Sequence, residues 1–212
     1  MLKRNKKHII ITSLIMLLPI LVGLLLWNKL PDQVPTHFDS SGIPNDYSSK
    51  AFAVFGINFI LIGCHLLTAF VTTADPKKQW IQDKVYRMVL WICPVVSIFI
   101  GTMVYGYCLN FKINISFVGG LLLSLLFIVV GNYLPKCKQN YMIGIKLPWT
   151  LDDTDNWNAT HRMAGPIWVL GGVAILILNF AGLHNTWTFL GITLLVALIP
   201  CIYSFLFYIK HN

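Results

Sequence analysis

Glutamate is absent from this sequence, and all eight acidic residues are aspartate. Charged residues are scarce altogether: they make up 11% of the 212 residues, whereas 56% are hydrophobic. One soluble core cannot bury so large a share of apolar side chains in a chain of this length. The composition therefore predicts an integral membrane protein.

Aspartate, lysine and arginine are missing from six apolar stretches, each long enough to cross a hydrocarbon layer of about 30 Å. These stretches predict an all-α protein with six transmembrane helices: Ile9–Trp27, Ala51–Thr73, Met88–Leu109, Ile113–Leu134, Ala164–Gly182 and Trp187–Ile209. Proton pumps and ion carriers usually keep acidic or basic groups inside the membrane, so their absence disfavours ion-coupled transport. His65, which lies well inside the second stretch, is predicted to form a hydrogen bond within the bundle.

Sequence patterns of membrane enzymes and metal sites are missing as well. There is no His-Glu-x-x-His run, and the five cysteines form no Cys-x-x-Cys pair. Four of the cysteines fall in predicted spans, where they are expected to be packing groups, whereas Cys137 is expected to be cytosolic and reactive. We predict no catalysis, no cofactor and no metal.

Basic residues are distributed unevenly between the two sides of the predicted helices. Thirteen lie on the side of the two termini, and three (Lys29, Lys50 and Lys112) lie on the other side. Because cytoplasmic loops carry an excess of lysine and arginine, both termini are predicted to be cytoplasmic. The net charge of +8 then faces the lipid bilayer, and no basic cluster on a soluble domain predicts nucleic-acid binding.

The loop after the first span, Leu30–Lys50, is predicted to be extracytoplasmic. Its prolines exclude a helix, and Asp39-Ser-Ser-Gly42 predicts a turn between two extended runs, Val34–Phe38 and Ile43–Tyr47. The candidate partner-binding residues of this loop are His37, Asp39, Gly42, Asp46 and Lys50.

A long polar segment, residues 135–163, separates the fourth and fifth spans and is predicted to be cytoplasmic. Gly144 and Pro148 exclude a continuous helix, whereas Thr150-Leu-Asp-Asp153 predicts a helix start that leads into the fifth span. The candidate partner-binding residues of this motif segment are Asn140, Gly144, Lys146, Pro148, Trp149, Thr150, Trp157, Thr160, His161 and Arg162. An equally open interpretation is that they form turns and anchor the chain at the membrane interface.

The loop between the second and third spans is also predicted to be cytoplasmic. Asp75-Pro76 is typical of a helix start, and the helix is expected to run through Trp80 and Arg87 into the third span. The chain is thus divided into an N-terminal unit of two spans, residues 1–73 with the outer loop 30–50, and a unit of four spans, residues 74–212 with the motif segment.

Two sets of residues resemble one known family, the SdpI family. The N-terminal set resembles a DUF1648-like segment at the front of that family, and the later set resembles the SdpI motif. The runs are Leu30-Pro-x-x-Val-Pro-Thr-His-Phe38, Tyr47-Ser-Ser-Lys50, Ala74-Asp-Pro-Lys77, Gly131-Asn-Tyr-Leu-Pro-Lys136, Gln139-Asn-Tyr-x-x-Gly-Ile-Lys-x-Pro-Trp-Thr-Leu151 and Trp157-x-x-Thr-His-Arg162. The family often has Arg and Thr where this chain has Lys146 and Leu147, so a role that needs a bidentate guanidinium there is not carried over.

The resemblance implies a multi-pass protein of the bacterial cell membrane. It implies an immunity protein that protects against a secreted peptide toxin related to the sporulation delay toxin. For some members it further implies a signalling receptor that holds a small cytoplasmic autorepressor at the membrane once toxin has been sensed.

The residues alone leave three classes of function open. A binding and protection protein needs no buried charge, and this class is favoured. A transporter or exporter of a small hydrophobic peptide or solute is the alternative. A membrane enzyme would have to use His37 with Asp39 and Asp46, or His161 with the aspartates at 152, 153 and 155, and no nucleophile beside a base is evident for either set.

Overall fold

The computed structural model describes residues 1–183 and 185–211, and it contains six helical spans. This number confirms the prediction of an all-α multi-pass membrane protein. The spans are Leu2–Leu25, Phe52–Ala74, Asp83–Cys108, Ile115–Lys136, Thr154–Phe180 and Thr186–His211. The termini and the motif segment lie at one end of the bundle, which we call the basic end, and the outer loop lies at the other, the hairpin end.

Several spans are interrupted where the sequence weakens the regular helix. The first consists of α1 (Leu2–Ile15) and α2 (Leu18–Leu25), which are separated by a turn because Pro19 cannot donate to the carbonyl of residue 15. The second opens with a π-helical turn, Phe52–Gly56, before α3 (Ile57–Ala74).

The remaining spans begin in different ways. The elements are α4 (Asp83–Cys108), α5 (Ile115–Tyr133) with a 3-10 turn at Leu134–Lys136, a short α6 (Pro148–Asp152), α7 (Thr154–Phe180) and α8 (Thr186–His211). The motif segment therefore holds two helix starts rather than the single one predicted. Asp153, whose side chain accepts from the Asp155 amide, caps α7.

Many apolar side chains of the spans face outward, and several polar ones face inward. Leu25, Phe180 and Trp187 are among the most exposed residues, as expected for surfaces that contact lipid. Inside, the hydroxyl of Thr12 lies 3.1 Å from Nε2 of His65, and Ser97 donates to Asn58 at 3.0 Å. The hydrogen bond predicted for His65 is therefore present.

The outer loop folds as the sequence predicts, into an antiparallel hairpin of β1 (Gln33–Phe38) and β2 (Pro44–Ser49). The turn places Gly42 at a φ of 76°, in the left-handed region that favours glycine. At the far end of β2, the Ser49 hydroxyl accepts a hydrogen bond from the Phe52 amide at 3.3 Å and so begins the second span.

The prediction of one helix from Asp75 through Trp80 into the third span is wrong. A 3-10 turn occupies Lys78–Trp80, Ile81 is extended, and α4 begins only at Asp83. Ile81 is buried in a cluster with Ala69 of α3, which a continuous helix would not allow at this turn of the chain.

Helices α5 and α7 approach most closely at three glycines. A Cβ atom on Gly131 would lie 2.8 Å from the carbonyl oxygen of Gly165, and one on Gly172 would lie 2.7 Å from the carbonyl oxygen of Ser124. These neighbours are backbone atoms that cannot rotate away. Small residues of this kind let helices pack in lipid, where no hydrophobic effect drives them together.

We predict that Gly131→Ala lowers the stability of the protein because it forces α5 and α7 apart. The expected cost is about 1–3 kcal/mol, the usual range for overpacking. Thermal unfolding in detergent measures the loss. Gly191→Ala is the matched control, since nothing lies within 4 Å of a Cβ atom there, and it should unfold like the parent. Equal unfolding temperatures for both variants would contradict the close contact.

Candidate functional site

The hairpin is fixed on the bundle through one strand. Val34 of β1 is fully buried in a cluster with Leu30, Val54 and Tyr105. Beyond this cluster, Phe38 packs edge-on against Tyr107, with ring centroids 5.5 Å apart, and the Thr186 hydroxyl of α8 donates to the Ser40 carbonyl at 3.2 Å. The hairpin is thus attached to both halves of the chain.

The candidate residues of the hairpin mostly bond to their own loop. Oδ1 of Asp39 accepts from the amides of residues 41 and 43 at 2.8 and 2.9 Å, and Oδ1 of Asp46 accepts from the Tyr47 amide at 2.8 Å. His37 lies opposite Asp46 in the strand register, yet its Nδ1 is 2.6 Å from Oδ1 of Asn45. The structure therefore gives His37 an amide partner rather than the carboxylate that a catalytic pair would need.

Lys50 closes the base of the hairpin. Its Nζ lies 3.1 Å from a carboxylate oxygen of Asp32 and donates to the Leu30 carbonyl at 3.3 Å. The same ammonium group lies 5.2 Å from the ring centroid of Trp27, within the range of a cation–π contact. Lys50 thus joins the end of the first span to the start of the second.

At the basic end, Asn140 folds the first loop of the motif segment onto itself. Its Oδ1 accepts from the amides of Met142 and Ile143 at 2.8 and 2.7 Å, and its Nδ2 donates to the carbonyls of Lys138 and Ile143 at 2.8 and 2.9 Å. Asn140 is buried, and its side chain is fully engaged within the protein.

Trp157 and His161, predicted to share a helix face, stack with ring centroids 4.1 Å apart. Trp157 donates through Nε1 to the Cys137 carbonyl at 2.7 Å. His161 donates through Nδ1 to the Trp157 carbonyl at 2.8 Å and accepts through Nε2 from the Ile145 amide, also at 2.8 Å. Because a carbonyl only accepts and an amide only donates, the ring must be the neutral tautomer with its proton on Nδ1.

Gly144 can pack closely against both rings because it has no side chain. A Cβ atom there would lie 2.5 Å from Nε2 of His161 and 2.9 Å from the Trp157 indole, and the φ of 127° is one that other residues rarely adopt. Thr150 completes this layer: its hydroxyl accepts from the Leu147 amide at 2.9 Å and lies 2.9 Å from the Ile145 carbonyl.

Three polar residues that sequence reasoning did not single out as site residues join the two halves of the chain. Oδ2 of the buried Asp75 accepts from the Tyr141 amide at 2.8 Å. Gln139 accepts from Nζ of Lys77 at 2.6 Å through Oε1 and donates through Nε2 to the carbonyls at 150 and 151. We call Asp75, Lys77 and Gln139 the polar clamp. The partners are more than 60 residues apart in the chain, so no local pattern could have shown the pairing.

A second network ties α6 and α7 to α8. Trp149 donates through Nε1 to the Ser204 hydroxyl at 2.6 Å, and that hydroxyl donates to Oδ1 of Asn156 at 2.8 Å. The Thr160 hydroxyl donates to the same oxygen at 3.0 Å. Asn156 in turn donates to the Ser204 carbonyl at 3.0 Å, so every polar atom of its amide group has a partner.

Eight of the ten candidate residues of the motif segment are either buried or exposed, whereas Gly144 and Trp149 are intermediate. The buried ones are Asn140, Thr150, Trp157, Thr160 and His161. Lys146, Pro148 and Arg162 are exposed, and Arg162 borders a shallow polar depression of about 380 Å³ with Asp155 and Asn158. Direct contact with a partner is open to the exposed residues, whereas the buried ones act through the shape they give the segment.

The prediction that Cys137 is reactive is wrong, because its side chain is buried against Val85 and Trp157. Burial disfavours the charged thiolate and raises the pKa of the Cys137 thiol to about 12. Since the thiolate is the reacting species, the group is inert at neutral pH. Among residues 1–183 and 185–211, no three histidine, cysteine or aspartate side chains form a group that could hold a metal ion.

We predict that maleimide at pH 7 labels Cys137 far more slowly than it labels a cysteine at Lys138, the exposed neighbour. With a thiol pKa of about 12, roughly one molecule in 10⁵ carries the thiolate at pH 7. Because the pKa is raised, labelling should stay low as pH rises through 9. Mass spectrometry of the labelled peptides separates the two positions. Similar rates for Cys137 and Lys138→Cys would show that the thiol is accessible.

We predict that Gln139→Met loosens the polar clamp, because it leaves the Lys77 ammonium and two backbone carbonyls without their partner. The expected loss of stability is about 1–3 kcal/mol. Unfolding in detergent and trypsin cleavage after Lys138 both report it. The matched control is Gln82→Met, since the exposed Gln82 side chain makes no hydrogen bond among the described residues. If Gln139→Met and the control cleave alike, the clamp does not hold the segment.

Comparisons with known proteins give one consistent result. Residues 136–204 match the SdpI/YfhL protein family, and residues 14–62 match a domain of unknown function, DUF1648. Over 211 residues the chain is 26% identical to the immunity protein SdpI of Bacillus subtilis (strain 168). This alignment covers 97% of this chain and 98% of that protein. No solved structure matches the chain significantly. With its six spans, the chain is a multi-pass cell-membrane protein, and it is similar to the SdpI family in both motif regions.

Proposed function

We propose that this protein is an immunity protein, which protects a bacterium against a secreted antimicrobial peptide. The observation that carries the proposal is its similarity to the immunity protein SdpI along nearly the whole length of both chains. The hairpin and the motif segment fall within the two matched regions or beside them. A binding role also agrees with the bonding of His37 to Asn45 rather than to a carboxylate.

The hairpin is the part of the molecule suited to meet a peptide outside the cell. It is predicted to be extracytoplasmic, and its contacts with α4 and α8 hold it in one position. A surface that is already ordered loses little conformational entropy when it binds, so more of the interaction energy remains as affinity. Protection then follows from capture of the peptide at the membrane surface.

We further infer that the motif segment transmits occupancy to a cytoplasmic autorepressor. Its buried side chains are bonded within the protein, and Lys146, Pro148 and Arg162 are the exposed candidate residues that a protein partner can touch. Exposed cations outnumber exposed carboxylates in the segment: they are Lys136, Lys138, Lys146 and Arg162 against Asp152 and Asp155. This excess favours a partner with an acidic surface, because opposite charges steer association. The lipid headgroups compete for the same cations.

Export of the peptide is the alternative mechanism of protection. It is less well supported, because polar groups inside the bundle, such as Thr12 with His65 and Asn58 with Ser97, are bonded to each other. Measuring how much labelled peptide stays with protected cells separates the two mechanisms. Capture predicts that the peptide is retained at the membrane, whereas export predicts that it is returned to the medium.

The test of immunity is survival of a sensitive bacterium that expresses this chain, exposed to purified sporulation delay toxin. We expect protection, and we expect the combination His37→Ala, Asp39→Asn and Asp46→Asn to lower the tolerated toxin concentration about tenfold, the equivalent of 1.4 kcal/mol of binding. The asparagines keep the oxygen atoms that accept the turn hydrogen bonds.

The control for this test is the double change Asp152→Ala and Asp155→Ala, which removes exposed charges at the basic end. It should leave survival unchanged. Membrane abundance of every variant is measured in parallel by immunoblot. A parent protein that inserts but gives no protection would reject immunity against this toxin, and undiminished survival of the triple variant would remove those three residues from the mechanism.

A further inference from the structure

A cavity of about 650 Å³ lies beneath the hairpin and opens at the hairpin end of the bundle. Its roof is the stretch 36–40 of β1 and the turn, and its walls come from α4, α5 and α8. The hydrogen bond from the Thr186 hydroxyl to the Ser40 carbonyl fixes the roof against α8. We call it the hairpin cavity.

The inner part of the hairpin cavity is apolar, with Leu123, Phe189 and Leu190 among its lining residues. One buried polar atom lies behind this lining. Asn179 is 1% exposed and donates to the Phe117 carbonyl at 2.8 Å, but its Oδ1 accepts no hydrogen bond from the described residues. That oxygen lies 2.8 Å from the position of a Cβ atom on Gly120, a lining residue without a side chain.

The rim adds further hydrogen-bond acceptors. Asp39 is the charged residue of the lining, and only its Oδ1 is used in the turn. In its neutral form, His37 donates from Nδ1 to Oδ1 of Asn45 and keeps Nε2 as an acceptor. Acceptors at the rim favour a ligand that supplies N–H donors over one that has none. A lipid acyl chain has none, whereas a peptide segment has one at almost every residue.

The volume limits how much of a peptide can enter. A helix that spans the hydrocarbon layer is about 10 Å wide and 30 Å long, or roughly 2,400 Å³. The hairpin cavity has about a quarter of that volume, within the range of pockets that hold small ligands. It accommodates a few apolar side chains with their backbone, and it excludes a whole span.

We propose that the hairpin cavity binds a short apolar segment of the toxin peptide, with backbone or terminal N–H groups donated to Asp39 at the rim. This inference rests on the proposed immunity function and names the place and the part of the ligand. The hairpin then serves as a fixed roof under which the segment inserts. Residues of both sequence units contribute to the site.

Gly119 offers a way to fill the hairpin cavity without disturbing the fold. It lines the cavity, and nothing lies within 4 Å of a Cβ atom built on it. We expect Gly119→Leu to lower the tolerated concentration of sporulation delay toxin about tenfold or more, and Gly119→Ala to have a smaller effect, because the loss follows the volume removed. The matched control is Gly191→Leu, equally open but outside the lining, which should protect like the parent.

A photo-crosslinking amino acid supplies a readout independent of survival. Placed at Leu190, which lines the hairpin cavity, it should capture radiolabelled toxin, and Gly119→Leu should abolish the capture. Placed at Leu198, an exposed position about 12 Å further along α8, it should capture little.

The outcomes separate the two proposals. A parent that neither protects nor crosslinks would reject immunity against this toxin, and the cavity inference with it. If Gly119→Leu protects as well as the parent at equal abundance, the hairpin cavity is not the binding site, and the immunity proposal is left intact. Crosslinks from Leu190 to lipid alone would overturn it as well.

Discussion

Hydrocarbon offers no hydrogen bonds, so a polar group inside this bundle can be satisfied only by the protein itself. This constraint explains why buried polar side chains of different spans pair with each other, as Thr12 does with His65 and Ser97 does with Asn58. It also explains the side-chain hydrogen bonds of the motif segment. Its irregular backbone lies between spans, and Asn140 with Thr150 supplies the donors and acceptors that a helix would otherwise provide.

His161 shows how strictly this constraint determines the chemistry of a side chain. One ring nitrogen faces a carbonyl and the other faces the Ile145 amide, so the neutral ring is the form that satisfies both. A proton on Nε2 would place two N–H groups against each other and leave the amide unpaired. The stacked Trp157 and the missing side chain of Gly144 make room for that arrangement. These residues therefore shape the segment, and its exposed cations are left to interact with other molecules.

The sequence predicted those parts of the structure whose cause is local. The six spans follow from apolar length, and the hairpin follows from its prolines and the Asp39-Ser-Ser-Gly42 turn. The start of α4 was misplaced because the burial of Ile81 against Ala69 depends on a neighbouring helix. The polar clamp was missed for the same reason, since Gln139 and Lys77 meet only when two loops fold together. Burial of Cys137 under the Trp157 indole likewise has no signal in the nearby residues.

The two ends of the bundle differ in how fully their polar groups are used, and this difference suggests a division of labour. At the basic end, Gln139 and Asn156 have partners on every polar side-chain atom, so that end is a rigid support with charges on its surface. At the hairpin end, Asp39 uses only Oδ1 in the turn and keeps Oδ2 free at the rim of the hairpin cavity. A free carboxylate oxygen beside apolar walls can accept from a donor that a ligand brings, in addition to the apolar contact. The hairpin end is therefore the end suited to a ligand that arrives from outside, and α5, α7 and α8 connect it to the motif segment through continuous helices.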